Sequence, residues 1–289
     1  MLIMAVSFWG VSFILSRELF AIEPNLSVTT LVTFRLLLAS LNMVPALLLL
    51  RRWEPIKKGD LKWFLLLSLT EPFLYSLCET GGVQYVSASL TSVIIAMVPV
   101  FVPFTMALAY HERIKTSVVC GAVLSVIGVA TMMLGDFSLD ASWAGIALLG
   151  GAIVVSQFYV LLIVKVVHRY RAVTVTTYQN LFGLLYFIPL TLLTDFHQLP
   201  LLSYSPKMIV LILALGLLCS TLAYVFYNYG IRYLGASVTS TFINGSAVVT
   251  LVAAVVSGQE PFSWVKVLGV AVAIAGVFVA QHDFEKSHD

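Results

Sequence analysis

The feature that most restricts this chain is a succession of apolar runs of roughly 20 residues, separated by short polar breaks. A helix of that length crosses a hydrocarbon core ~30 Å thick. Ten such runs are expected, at about 2–22, 27–50, 61–83, 86–109, 116–134, 143–166, 172–194, 207–230, 235–257 and 264–281. No soluble domain fits between them, since the longest connections are only Arg51–Asp60, Gly135–Ser142 and Asp195–Pro206. Of the 289 residues, 60% are hydrophobic and 10% charged, with a mean hydropathy of +0.99. A soluble domain carries about 25% charged residues, so too few charges remain here to coat a water-facing surface. The expected class is an all-α membrane protein. The first run starts at Met1 without a basic leader and ends in Ser16-Arg17-Glu18. It is therefore expected to stay as the first membrane helix. Net charge is only +2, and no nucleic-acid partner is expected. Cys78, Cys120 and Cys219 lie inside apolar runs, an odd set that argues against a disulfide framework.

A stretch of the chain occurs twice. Tyr85–Ser92 reads Tyr-Val-Ser-Ala-Ser-Leu-Thr-Ser, and Tyr233–Ser240 reads Tyr-Leu-Gly-Ala-Ser-Val-Thr-Ser, 148 residues further on. The same shift carries Gly82 onto Gly230, Glu112 onto Glu260, Gly121 onto Gly269 and Gly128 onto Gly276. Two copies of one unit are expected: residues 1–134 and 143–289, joined by an external loop over 135–142.

Charge fixes how the copies lie. With the N-terminus cytoplasmic, twelve Lys and Arg residues fall on the inner side, and only Arg17, Lys207 and Lys266 on the outer side. Basic residues concentrate in cytoplasmic loops, so both termini are expected inside, in an inner membrane. Each copy holds five spans, an odd number, so the second copy enters from the opposite face. Ten transmembrane helices then form two inverted five-helix repeats, whose pseudo-two-fold axis suits alternating access. Gly121 and Gly128 share one helix face, as do Gly269 and Gly276. Small residues of this kind let helices approach closely in lipid.

The chain is similar to the drug/metabolite transporter superfamily, EamA type. The residues that carry the likeness are Phe8-Trp9-Gly10, Phe34-Arg35, Tyr85-Val86-Ser87-Ala88-Ser89, Pro99, Glu112 beside a basic neighbour, and Gly121 with Gly128. It covers essentially the whole chain. The resemblance implies a ten-helix bundle around a central cavity lined mainly by spans 1, 3, 4, 6, 8 and 9. It also implies export or exchange of small metabolites, without fixing the solute.

Span 3 is the most informative. Glu71, Tyr75 and Glu79 are spaced i, i+4, i+8, on roughly one stripe, and Glu71 lies about ten residues in, near mid-membrane. A carboxylate at that depth is costly unless paired or wet. Each glutamate is therefore a candidate amine partner or proton carrier, the alternative being an ion pair that holds helices together. Arg35 falls at about the depth of Glu79. It is expected to form a structural ion pair there, or else to contact a solute carboxylate. Pro72 beside Glu71 can kink the helix. Trp9, Gln157, Tyr159, Tyr224, Tyr227, Asn228 and Asn244 complete the candidate binding set, each with helix packing as the alternative. The second copy has Cys219 at the place of Glu71, Tyr227 at that of Glu79 and Gln179 at that of Arg35. Pro99 and Pro103, replaced by Ala247 and Leu251 in the second copy, mark span 4 as a candidate gate.

The five histidines sit in loops, at span ends or in the tail, and no His-Glu-x-x-His or phosphate-binding glycine loop occurs. No metal or cofactor is expected, nor an enzyme. The expected function is secondary transport of a small organic metabolite such as an amino acid, as an exporter. A proton-coupled efflux pump for cationic drugs or amines is the nearest alternative. From other classes come an intramembrane lipid-processing enzyme and a non-transporting receptor. Solute and membrane lipid are the expected partners, and a monomer is compatible with the sequence.

Overall fold

The computed structural model describes residues 1–110, 116–135 and 142–285. Glu112, Arg113, Lys115, Asp136 and Asp140 lie outside the described residues, as do the side chains of Pro103 and Ser237. Every regular element among the described residues is helical. The first matched set is α1 (Leu2–Ile22), α2 (Val28–Leu49), α3 (Leu61–Ser68), α4 (Tyr75–Tyr85), α5 (Ala88–Ile95), α6 (Val98–Tyr110) and α7 (Thr116–Gly135). Then come α8 (Trp143–Val167), α9 (Ala172–Thr194), α10 (Pro206–Ala214), α11 (Tyr224–Thr241), α12 (Asn244–Val256) and α13 (Trp264–Glu285). Two π-helical stretches, Leu69–Leu74 and Leu215–Ala223, join α3 to α4 and α10 to α11. Leu2–Ile22, Val28–Leu49, Trp143–Val167 and Pro206–Leu234 are long and apolar enough to cross a membrane.

Two boundaries differ from expectation. The helix expected over 86–109 is interrupted at Ala96–Met97, where the Met97 N–H turns to the Ile94 carbonyl at 3.0 Å. Pro99 therefore sits in the first turn of α6, where a missing N–H costs little. The second copy is interrupted as well, at Phe242–Ile243, although it carries no proline there. The interruption is thus not set by the prolines. The stop expected between 230 and 235 is absent, and α11 runs on to Thr241. In the first copy the Ser87 hydroxyl caps α5 by accepting the Leu90 N–H at 3.1 Å. Gly235 stands at that place in the second copy and has no hydroxyl to end the helix.

Packing is by close backbone approach. α7 and α13 meet so tightly that a Cβ on Gly128 would lie 2.4 Å from the Ala273 nitrogen, and one on Gly276 2.5 Å from the Ser125 nitrogen. Ser125 Oγ donates to the Ala273 carbonyl at 3.1 Å across this contact. α1 and α12 touch in the same manner: a Cβ on Gly10 would lie 2.8 Å from the Ser246 carbonyl, and Thr250 Oγ1 donates to the Gly10 carbonyl at 2.8 Å. Some contacts are reciprocal. Gly82 of α4 packs on Leu149 of α8, and Gly230 of α11 packs on Leu2 of α1.

The ends of the helices are tied by polar side chains. Asp60 accepts from Arg169 and Tyr170, each at 2.8 Å, while Tyr170 also receives the Lys57 N–H at 3.1 Å. Burial pushes the Tyr170 phenol above the usual tyrosine range, and the Asp60 carboxylate adds to the effect. Asp195 accepts from Ser27 and Thr29 at the start of α2. Lys266, expected among the outer-side charges, is buried in a 2.7 Å ion pair with Glu260.

Candidate functional site

The two π-helical stretches stand at matching places in the copies, with Glu71 in one and Cys219 in the other. A widened turn withdraws carbonyls from the regular ladder, and in hydrocarbon these must find donors elsewhere. They do. The Glu71 carbonyl accepts from Gln179 Nε2 at 3.2 Å, the Cys219 carbonyl from Trp9 Nε1 at 3.3 Å, and the Ser220 carbonyl from Asn180 Nδ2 at 3.4 Å. Side chains of α1 and α9 thus stitch the turns in place. Glu71 itself leaves helical geometry, with φ −136° and ψ 116°.

A cavity with about 70 Å³ of room for the centres of water-sized molecules lies against the Glu71 turn. Its wall takes Trp9 and Phe13 from α1, Arg35 from α2, Glu71 from the turn, Tyr75 and Glu79 from α4, Tyr159 from α8, and Tyr224 and Tyr227 from α11. The stripe expected on span 3 reaches one cavity even though its first member lies in a widened turn. The Trp9 ring meets Tyr224 and Tyr227 edge to face, with centroids 5.1 and 4.9 Å apart. Such pairs fix ring orientation as well as burying apolar area.

The polar groups are held by different partners. The Tyr224 hydroxyl donates to the Glu71 carboxylate. Glu79 Oε2 accepts from Thr80 Oγ1 at 3.1 Å. Arg35, only 8% exposed, donates through Nε to Ser220 Oγ at 3.2 Å. The structural ion pair expected between Arg35 and Glu79 is not made. Among the described residues the ion pairs are Arg169–Asp60, Lys207–Glu18 and Lys266–Glu260. Arg35 and Glu79 each bond a neighbouring hydroxyl and line the same cavity.

Four expected site residues are not on the cavity wall. Gln157 binds within the α6–α8 contact, accepting from Thr105 at 2.9 Å and donating to the Ile153 carbonyl at 3.2 Å. Asn228 is wholly buried, accepting from Tyr159 at 3.0 Å and donating to Thr176 and Gln179 at 3.0 and 3.1 Å. Asn228 is thus one contact behind the wall, orienting Tyr159. Asn244 is 3% exposed, and neither its Nδ2 nor its Oδ1 has a hydrogen-bond partner among the described residues. Pro99 is buried in α6.

The wall also holds Ser12, Ser76, Ser156 and Ser246, which sequence reasoning passed over. Ser12, Ser156 and Ser246 donate back to the carbonyl three residues earlier, at 2.7, 2.6 and 2.7 Å. Bonded in this way, a hydroxyl offers lone pairs rather than a proton to the cavity. The available signal was spacing, since Ser12 is three residues from Trp9 and Ser156 three from Tyr159.

Comparison with known proteins identifies the family. The pattern of the EamA-like transporter family matches residues 1–134 and again 143–280. The chain is 27% identical over 257 residues to the uncharacterized transporter YetK of Bacillus subtilis, covering 85% of this chain and 76% of that one. It is 25% identical to an uncharacterized transporter of Archaeoglobus fulgidus, over 96% of both chains. A protein of Streptantibioticus cattleyicolor named "Probable terminal-alkyne amino-acid exporter" is 26% identical over 76% of this chain and 73% of its own. A crystal structure superposes with a TM-score of 0.68 at 14% identity, covering 96% of this chain and 98% of its own. That likeness concerns the fold.

Proposed function

As the chain belongs to the EamA-like transporter family, we propose that it is a secondary transporter that exports a small organic metabolite, such as an amino acid, by alternating access. The observation that carries this reading is a cavity walled by both halves. Trp9, Arg35, Glu71 and Glu79 come from the first matched stretch, and Tyr159, Tyr224 and Tyr227 from the second. The members of the family are transporters, which takes the place of the lipid-processing enzyme alternative.

In this reading ten spans form two inverted five-helix units, 1–134 and 143–289, joined over 135–142, with both termini cytoplasmic in an inner membrane. The reciprocal contacts Gly82–Leu149 and Gly230–Leu2 support it, as do the matched π turns at Glu71 and Cys219. A site between inverted units opens to either face when the halves exchange conformations. No nucleotide-binding loop is present in the sequence, so the driving force is a solute gradient, exchange or proton coupling. The name of the Streptantibioticus cattleyicolor relative supports the amino-acid form. Two carboxylates beside Trp9, against one arginine, favour a cationic amine as the second reading.

Purified protein in liposomes loaded with unlabelled solute tests the proposal. Labelled amino acids, polyamines and quaternary amines are offered outside, with and without a pH gradient. Counterflow of an amino acid is expected. Flux of none of these solutes above that of empty liposomes would contradict it, and a rate indifferent to the gradient would remove both glutamates as proton carriers.

A further inference from the structure

We propose that the cavity recognises its solute as a zwitterion, taking a carboxylate on Arg35 and an ammonium on Glu79, so that solutes lacking either group are rejected. The inference rests on the transport reading above and narrows its solute class.

Arg35 carries the first half. A guanidinium has five N–H donors, and this one is 8% exposed. Among the described residues, only its Nε is engaged, by Ser220 Oγ. Among the described residues, neither terminal nitrogen has a protein hydrogen bond, and no carboxylate lies within ion-pair distance. Leaving a buried guanidinium half-satisfied is costly, and the fork it presents to the cavity matches a carboxylate in two parallel bonds.

Glu79 carries the second half. Both glutamates line the wall, but they are not equivalent. Glu71 is engaged by the Tyr224 hydroxyl and its backbone by Gln179. Among the described residues, Glu79 accepts only from the neighbouring Thr80, through Oε2, which leaves Oε1 for a solute donor. Among the described residues, two side chains of opposite charge thus line one small space without a direct ion pair between them. The aromatic edges of Trp9, Tyr224 and Tyr227 supply the apolar wall beside them.

Binding to purified protein is compared for two matched sets: phenylalanine, phenethylamine and 3-phenylpropionate; then leucine, isopentylamine and 4-methylpentanoate. At least one amino acid is expected to bind roughly 10- to 100-fold more tightly than both its amine and its acid, the worth of one charged hydrogen bond. Arg35→Gln is expected to erase the preference over the amine, and Glu79→Gln the preference over the acid. Arg35→Lys is expected to restore part of the first. Because these are ratios within one preparation, partial misfolding does not mimic them, and a merely structural Arg35 would weaken all three compounds alike. If in both sets the amine or the acid binds as well as its amino acid, the inference is overturned and the transport reading is left intact. Failure of all six compounds to bind also overturns it, while the transport reading is judged by counterflow with the wider panel.

Discussion

Replacing Lys266 by Met is expected to lower stability by about 3–5 kcal/mol, the cost of leaving one member of a buried ion pair unpaired. Lys266 Nζ and Glu260 Oε2 are 2.7 Å apart, with side chains 2% and 0% exposed. The second oxygen, Glu260 Oε1, accepts the Ser89 N–H at 3.0 Å. The pair therefore ties the turn before α13 to the start of α5, and so the second half of the chain to the first. Thermal unfolding in detergent, with the monodisperse fraction after heating as readout, measures the loss. Equal melting temperatures for Lys266→Met and the unaltered protein would show that the pair contributes nothing.

The second large effect is expected at the α7–α13 contact. Leucine at Gly128 cannot be accommodated by a rotamer change, since its first carbon would already meet the backbone of Ala273 at 2.4 Å. The helices must separate, which loosens the bond from Ser125 to the Ala273 carbonyl. Overpacking costs about 1–3 kcal/mol and occasionally more, and backbone-to-backbone contact puts Gly128→Leu at the upper end. Gly150→Ala is the control, because nothing lies within 4 Å of the Cβ it would gain. It is expected to change stability by no more than about 1 kcal/mol, the helix-propensity difference. The two proteins are compared by the same melting measurement.

Much of this arrangement is legible in the residues, and the exceptions have a common cause. Helix limits follow from hydrophobic length: α1, α2 and α9 span Leu2–Ile22, Val28–Leu49 and Ala172–Thr194, against expected runs of 2–22, 27–50 and 172–194. Glu71 and Glu79 stand out because charge at depth is costly, and both reach the cavity with Tyr75, Glu71 from a widened turn and the other two from α4. Rotation of a helix about its axis is harder to read, since in lipid both faces are apolar and only neighbours decide which way a polar group turns. Gln157 and Asn228 look like wall residues by composition, yet they face adjacent helices. The cavity serines were hidden for the converse reason, because short hydroxyls bonded to their own helix are common throughout such segments.

The Glu260–Lys266 pair was missed differently. Glu260 stood out only as the repeat of Glu112, and Lys266 only as one charge in the outer-side count. Six residues apart across a turn, they fit no helix-face pattern. Trp9 shows how two readings combine: its indole N–H holds the Cys219 carbonyl while its ring lines the cavity, so helix packing and a place on the cavity wall belong to one side chain.

The central claim is that this one cavity is reached from both faces of the membrane in turn. Cysteine at Ser156 or Ser246, two wall positions, tests it in a background where Cys78, Cys120 and Cys219 are replaced by serine. A membrane-impermeant maleimide is applied from each side of sealed vesicles of known orientation. The account predicts that each cysteine is labelled from either side, and that the transported solute slows both reactions. Labelling from one side alone, untouched by solute, would contradict it.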